Sequence, residues 1–255
     1  MDDLRDKTIL LTGASTGIGA AAARALAREG CHLVAQYHTH KEGAEKATAD
    51  LPSDRKLLIR SDFTRADAAD ALWGEALAWR GRIDVLVNNA ATLLFEGGID
   101  ASDEDWDRVW SETMQVNVLA PARLLRNAVR HFLEMGGGIT VTMGSWVGQR
   151  GSSVADLMAY AASKAAIRAT TQTVARNFAR DNVLAYIISP GVVRTEMSEQ
   201  SAARLGGEQA VTAGLAMGEW VPPSDLAELL VFLASGRCRH LTGATLEVNG
   251  ASYVR

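Results

Sequence analysis

The chain of 255 residues, 47% hydrophobic and 22% charged with five prolines, has the composition of an ordinary folded protein, which excludes disordered, collagen-like and disulfide-scaffold classes. A chain of this length buries on the order of 70% of the surface it exposes when unfolded, enough for one sizeable core. Lys and Arg total 26 against 30 Asp and Glu, a formal charge of −4 with both signs scattered, so neither a nucleic acid nor a membrane is an expected partner.

The opening residues, Met-Asp-Asp-Leu-Arg-Asp-Lys, put charge ahead of a short apolar run. No stretch approaches the roughly eighteen apolar residues of a membrane span. Cys31 and Cys238 are far apart and lack metal-ligand spacing, so no metal is expected and both read as reduced thiols. A soluble, cytoplasmic protein is the expectation.

In chain order, short runs rich in Val, Ile and Leu alternate with longer Ala-rich segments of helical period. The runs 8–12, 32–37, 56–60, 85–88, 139–143, 183–189 and 245–248 read as strands. Segments 18–29, 41–50, 65–79, 102–134, 156–180 and 224–234 read as helices. That alternation predicts an α/β fold: a Rossmann-type, doubly wound, seven-stranded parallel sheet with helices on both faces.

Two places break the rhythm. Ser102 and Asp105 read as a capping box, yet Pro121 falls inside the helical pattern that follows and removes a backbone donor there. Segment 190–223, rich in Gly, Ser, Glu and Met and flanked by prolines, has the length of a functional lid. No repeat or linker divides the chain, so residues 1–255 read as a single domain.

The first strand runs into Thr12-Gly13-Ala14-Ser15-Thr16-Gly17-Ile18-Gly19 and then an Ala-rich helix. Glycines at 13, 17 and 19 permit a tight turn, close approach of a pyrophosphate to the backbone, and close packing of helix on strand. The helix N-terminus supplies unpaired N–H groups and partial positive charge for an anion. Between a strand and a helix, this pattern predicts a dinucleotide site.

Further along come Asn88-Asn89-Ala90 after the fourth strand, Asn117, Ser145 past the fifth, Tyr160-Ala-Ala-Ser-Lys164, Pro190-Gly191 with Thr195 beyond the sixth, and Leu241-Thr242-Gly243. In this order and over essentially the whole chain, the motifs resemble those of the short-chain dehydrogenase/reductase family. The resemblance implies hydride transfer between a nicotinamide cofactor and a carbonyl or secondary alcohol, for instance a 3-oxoacyl thioester or a small ketone. It implies Asn117, Ser145, Tyr160 and Lys164 as the catalytic residues. Cofactor contacts are implied for Gly13, Ser15, Thr16, Gly17, Ile18 and Gly19, for Asn89 and Ala90, for Tyr160 and Lys164, and for Pro190, Gly191, Val193 and Thr195. It also implies a homotetramer or homodimer formed through the helices at 102–134 and 156–180.

The tyrosine and lysine make chemical sense without the family. Four residues apart on a helix, they share one face. A phenol is the right acid at pH 7, but as a base it is only about one part in a thousand ionised. A cation about 5 Å away is worth about 3 kcal/mol, enough to lower the phenol pKa by about two. Ser145, at the carboxyl edge of the sheet, can donate to the same substrate oxygen. The Asn117 carbonyl would receive the N–H of residue 121, which is proline and has none, leaving it free to hold the water that the family places there.

Other positions are open to more than one reading. Asp62 resembles the family's aspartate near the adenine, and would look the same as a helix-initiating residue. Trp146 and Trp220 are candidate pocket walls. Ala91 stands where the family commonly has glycine, Asn249 replaces a common aspartate, and the stretch from Ser145 to Tyr160 is about two residues longer than usual. At the end of the second strand no carboxylate is present to bind a ribose 2′-hydroxyl. Tyr37 occupies that position, with His38, His40 and Lys41 beyond, which favours NADP(H) over NAD(H). A catalytically silent cofactor-binding protein is the alternative, and would be expected to lack Tyr160 or Lys164.

Overall fold

The computed structural model describes residues 4–254; the charged opening at residues 1–3 and residue 255 lie outside the described residues. Seven strands occupy Thr8–Leu11 (β1), His32–Tyr37 (β2), Lys56–Arg60 (β3), Val85–Asn88 (β4), Gly138–Met143 (β5), Val183–Pro190 (β6) and Thr245–Val248 (β7). They pair in parallel in the order β3-β2-β1-β4-β5-β6-β7, the doubly wound sheet that the alternation predicts. The order reverses between β1 and β4, and in such sheets ligands bind beyond the carboxyl ends at that switch point.

The helices are α1 (Gly17–Arg28), α2 (Lys41–Ala47), α3 (Ala68–Arg80), α4 (Asp103–Met114), α5 (Ala120–Met135), α6 (Val147–Arg150), α7 (Met158–Phe178), α8 (Glu196–Arg204), α9 (Glu208–Ala213) and α10 (Pro223–Ala234). Side chains alternate across each strand, so the sheet feeds two apolar layers. Ile9 and Leu11 pack with Leu26 of α1 and Leu230 of α10, while Leu10 packs on the opposite face with Leu72 of α3, Leu124 of α5 and Ile167 of α7. None of the helices among the described residues is long and apolar enough to cross a membrane.

In three places the structure adds to the expectation. The helix read over 102–134 runs unbroken from Asp103 to Met135, widened in its middle by a π-helical turn, Gln115–Leu119. Ser102 caps α4 by accepting the Asp105 N–H at 3.2 Å, as the capping box requires. In the widened turn Ala120 donates to the Gln115 carbonyl, and Pro121 falls in the first turn of α5. The proline therefore sits inside a continuous helical run, just past the widened turn that accommodates it.

The segment between β6 and α10 is partly helical. It holds α8 and α9, and its base is closed by Val221 donating to Val192 and Arg194 donating to Val221, both at 2.9 Å. Thr195 caps α8 by accepting the Ser198 N–H at 3.3 Å. The long stretch after Ser145 is taken up by α6 and by a single tight turn, Ala155–Leu157, ahead of α7.

Candidate active site

The glycine turn after β1 is held from both sides. Gln36 accepts the Gly13 N–H at 2.8 Å and donates to the Ser61 carbonyl at 2.8 Å, tying the turn to β2 and β3. Thr12 accepts the N–H groups of Asn89 and Ala90 at 2.9 and 3.0 Å, and the Asn89 amide donates back to the Thr12 carbonyl at 2.9 Å. Gly13 and Gly17 have φ of +70° and +51°, conformations that favour glycine. A Cβ on Gly19 would collide with the Gly13 carbonyl and lie 2.6 Å from the Asn89 amide nitrogen.

This geometry fits a dinucleotide. α1 begins at Gly17 with no acidic residue in its first turn and no side-chain cap from Thr16. Ser15 Oγ is buried with no hydrogen-bond partner among the described residues. Unspent donors at a helix N-terminus, beside backbone bared by glycine, suit a pyrophosphate. Ile18 lines the cleft beside them.

At the far end of this half the structure corrects one expectation. Tyr37 shares the face of β2 that carries Leu33 and Ala35, and it does not line the cleft; Gln36 and His38 on either side of it do. His38 Nε2 lies 3.6 Å from Asp62 Oδ2. Arg60, paired in register with Tyr37, donates to the His38 carbonyl at 3.3 Å and brings a permanent cation that the sequence reading missed. Asp62 fits both of its readings: it lines the cleft and accepts the Thr64 N–H at 3.0 Å. The Thr64 hydroxyl, then its N–H, hold the Asp62 carboxyl below the usual carboxylate range.

The cleft, about 540 Å³, runs from this turn past β4 to the ends of β5 and β6. Ser145 follows β5, and Tyr160 and Lys164 project from the first two turns of α7 into the same cleft. The Lys164 ammonium lies 5.6 Å from the Tyr160 ring centroid and donates to the Met143 carbonyl at 3.0 Å. Burial pushes the Tyr160 phenol up to about 12, partly opposed by a hydrogen bond from Ser145. Burial alone pushes Lys164 down to about 8. Lys164 contributes no lowering of the phenol here, and desolvation sets the direction of its shift.

The Asn117 side chain is spent on structure. Its Oδ1 accepts the Thr92 N–H at 2.8 Å, and its Nδ2 donates to the Thr92 carbonyl at 2.9 Å and to Ser163 Oγ at 3.1 Å. These bonds lock the loop after β4 to α7 through the π-helical turn. Across the cleft Pro190, Gly191, Val193 and Thr195 form the opposite lip, and Thr195 closes on Gly17, where a Cβ would lie 3.0 Å from its methyl group.

The two tryptophans are not walls of this cleft. Trp146 is stacked beneath the Arg150 guanidinium at 4.2 Å, and Trp220 is buried with its indole N–H donating to Thr212 at 2.9 Å. Residues that line the cleft, and that the sequence reading missed, are Leu93, Glu112, Val116 and Met197; the turn that carries Glu112 and Val116 packs on Phe63 after β3, where Gln115 donates to the Phe63 carbonyl at 3.2 Å. Glu112 and Val116 are four apart, so helical spacing was the available signal. Asn249 spans the turn after β7, donating to the Tyr253 carbonyl at 3.1 Å.

A family model described as enoyl-(acyl carrier protein) reductase matches residues 13–251, nearly the whole chain. The chain belongs to the short-chain dehydrogenase/reductase family. It is accordingly an NAD(P)-dependent oxidoreductase. It is 31% identical over 254 residues to a 2-dehydro-3-deoxy-D-gluconate 5-dehydrogenase of Escherichia coli (strain K12), covering 99% of this chain and 97% of that one. It is also 31% identical over 258 residues to 3beta-hydroxysteroid dehydrogenase 1 of Eggerthella lenta, covering 98% and 94%. A crystal structure of a short chain dehydrogenase from Burkholderia cenocepacia J2315 in complex with NADP superposes with a TM-score of 0.86 at 29% identity, covering 98% of this chain and 99% of that one.

Proposed function

We propose that this short-chain dehydrogenase/reductase interconverts a small-molecule ketone and its secondary alcohol with NADP(H), using Asn117, Ser145, Tyr160 and Lys164. The observation that carries the reading is the convergence of Ser145, Tyr160 and the buried Lys164 on one cleft, with Lys164 one helical turn from Tyr160 and its ammonium 5.6 Å from the Tyr160 ring centroid. When bound, the nicotinamide supplies or accepts the hydride. Ser145 and Tyr160 grip the substrate oxygen with two hydroxyls, and Tyr160 delivers or removes its proton. Because the phenol is pushed up to about 12, it is fully protonated at neutral pH and ready as the acid for reduction. Lys164 stabilises the phenolate left behind and reaches the nicotinamide ribose. With its side chain committed to Thr92 and Ser163, Asn117 contributes its main-chain carbonyl to hold a proton-relaying water.

His38 and Arg60 are proposed to receive the 2′-phosphate of NADP, with Asp62 nearer the adenine. The NADP complex of the Burkholderia cenocepacia relative supports this preference. Residues 1–255 are proposed to act as one domain with a lid at about 190–223, in a cytoplasmic homotetramer or homodimer. A silent role finds no support, since Tyr160 and Lys164 are both retained at the cleft.

A panel of carbonyls and alcohols, followed by nicotinamide absorbance with both cofactors, tests the reading. Turnover is expected, with NADPH preferred about tenfold in kcat/KM, about 1.4 kcal/mol. His38→Ala and Arg60→Ala should each shrink that preference. A native preference for NADH would contradict the cofactor assignment, and no turnover of any compound would contradict the activity.

A further inference from the structure

We infer that Gln149 is a positioning residue for the reaction: it holds the one-turn helix α6, and through it the hydroxyl of Ser145, in place against the turn of α7 that carries Tyr160 and Lys164. The inference rests on the hydride-transfer reading above and adds to it a side chain that does not line the cleft.

The side chain of Ser145 is placed by the turn that follows it. Its Oγ accepts the Val147 N–H at 3.4 Å, and its carbonyl accepts the Gly148 N–H at 3.0 Å. Any movement of α6 therefore carries the hydroxyl with it. A helix as short as Val147–Arg150 has no stability of its own, so contacts from outside must fix it.

Two residues of the turn supply them. Gly148 brings α6 against the backbone of α7 at the catalytic lysine: a Cβ there would lie 2.7 Å from the Lys164 carbonyl carbon and 2.9 Å from the Ala165 nitrogen. That contact limits how closely the turn approaches, and Gln149 limits how far it can leave. Its Nε2 donates to Ser189 of β6 at 2.9 Å and to Glu247 of β7, while its Oε1 accepts from Arg168 of α7 at 3.3 Å. Two N–H donors meet two acceptors and the oxygen meets a guanidinium, so an amide satisfies all three partners where neither a carboxylate nor an apolar side chain would. Bonds to a carboxylate and a guanidinium are of the stronger, charge-assisted kind. Arg168 has little else to hold, since its Nε is buried with no hydrogen-bond partner among the described residues. Arg150, the other long polar side chain of the turn, stacks on Trp146 beside it at 4.2 Å and reaches Tyr253 only at 6.0 Å, so it does not replace these ties.

The test is a double-mutant cycle with NADPH and the ketone turned over fastest in the panel above. kcat and the NADPH dissociation constant are measured for the wild type, Gln149→Met, Ser145→Ala, whose residual rate Tyr160 and Lys164 supply, and the two substitutions combined. Gln149→Met keeps the length of the side chain and drops its polar atoms. It should lower kcat about 10–100-fold and leave the NADPH dissociation constant within about threefold of wild type. In the Ser145→Ala background it should lower kcat less than about threefold, because the hydroxyl it positions is gone. A side chain that only supported the fold would cost as much in both backgrounds. Gln149→Glu, which sets a carboxylate against Glu247, should lose as much as Gln149→Met, and adding Glu247→Gln should restore most of the loss by returning a donor to the pair; should Gln149→Met not fold, the cycle is run with Gln149→Glu. No loss in Gln149→Met, an equal loss in both backgrounds, or no recovery on adding Glu247→Gln would overturn the inference and leave hydride transfer standing. Failure of the wild type on every carbonyl, with NADPH still bound, would overturn the hydride-transfer reading and this inference with it.

Discussion

The glycine turn after β1 and the segment joining β6 to α10 border the same cleft, but the turn is fixed by backbone contacts throughout, whereas the segment is fixed at its base and by Trp220 and its two helices are otherwise held by surface pairs. At the turn, Gly19 has the Gly13 carbonyl and the Asn89 amide where a Cβ would stand, and Thr12, Gln36 and Asn89 supply a closed set of hydrogen bonds. In the segment, a Cβ added to Gly207 or Gly218 would meet nothing within 4 Å. There α9 is tethered by the exposed Arg194–Glu208 pair at 2.9 Å and by the Trp220 indole N–H on Thr212, and α8 by Arg204–Glu96 at 3.7 Å. Exposed pairs of that kind contribute about 0–1 kcal/mol each. A rigid cofactor end and a loosely pinned substrate end let one chemistry serve many substrates, because the variable part carries little of the fold's stability.

The sharpest way to break this contrast is Gly19→Ala. Overpacking against the Gly13 carbonyl should cost about 1–3 kcal/mol of stability, and NADPH affinity should fall at least tenfold because the turn must open; titration and thermal melts would report both. Unchanged affinity would mean that the turn is not the rigid element described.

Lys164 stands where the two ends meet, and its burial lowers it from the ordinary lysine value of 10.5 to about 8. Between those values the unfolded chain binds the Lys164 proton more than the native one does, so the Lys164 contribution to stability should rise as pH rises from about 8 to 10.5, while the buried Cys31 thiol, pushed from 9.0 up to about 12, works against it above about 9. Lys164→Met should lose activity yet be on the order of 1–3 kcal/mol more stable at pH 7, with that pH slope removed. A destabilised variant at pH 7 would show that the ammonium's bond to Met143 outweighs its desolvation.

Hydrogen exchange gives a smaller, local contrast. Amides in α8 and α9 should open far more readily than those of β1 and β4 and gain protection when cofactor and substrate are both present. Equal protection with and without ligands would remove the lid. Smallest of all, Gly214→Ala, at φ −86° with only an ordinary contact to the Val211 carbonyl at 3.5 Å, should change stability by about 0.5 kcal/mol or less.

The strands were legible because central parallel strands are buried on both faces and read as unbroken apolar runs, as in Val85–Asn88. The glycine turn was legible because only glycine meets its backbone demands. The π-helical turn was not, since one widened turn leaves the apolar period almost unchanged and Pro121 alone marked the place. Tyr37 was chosen over Gln36 by its order in the chain, whereas strand alternation decides which side chain faces the cleft. The phenol was misjudged because sequence supplies the cation four residues away but not the burial that opposes it. Trp220 offered a large ring without saying which side of the segment it packs on.

The central claim is that Tyr160 exchanges the proton while the dinucleotide is held elsewhere. Tyr160→Phe tests it by kcat and by the NADPH dissociation constant measured on the same preparation. The account predicts a fall in kcat of about 10²–10⁴-fold with NADPH affinity within a few-fold of wild type. Retention of more than about a tenth of wild-type kcat would contradict it.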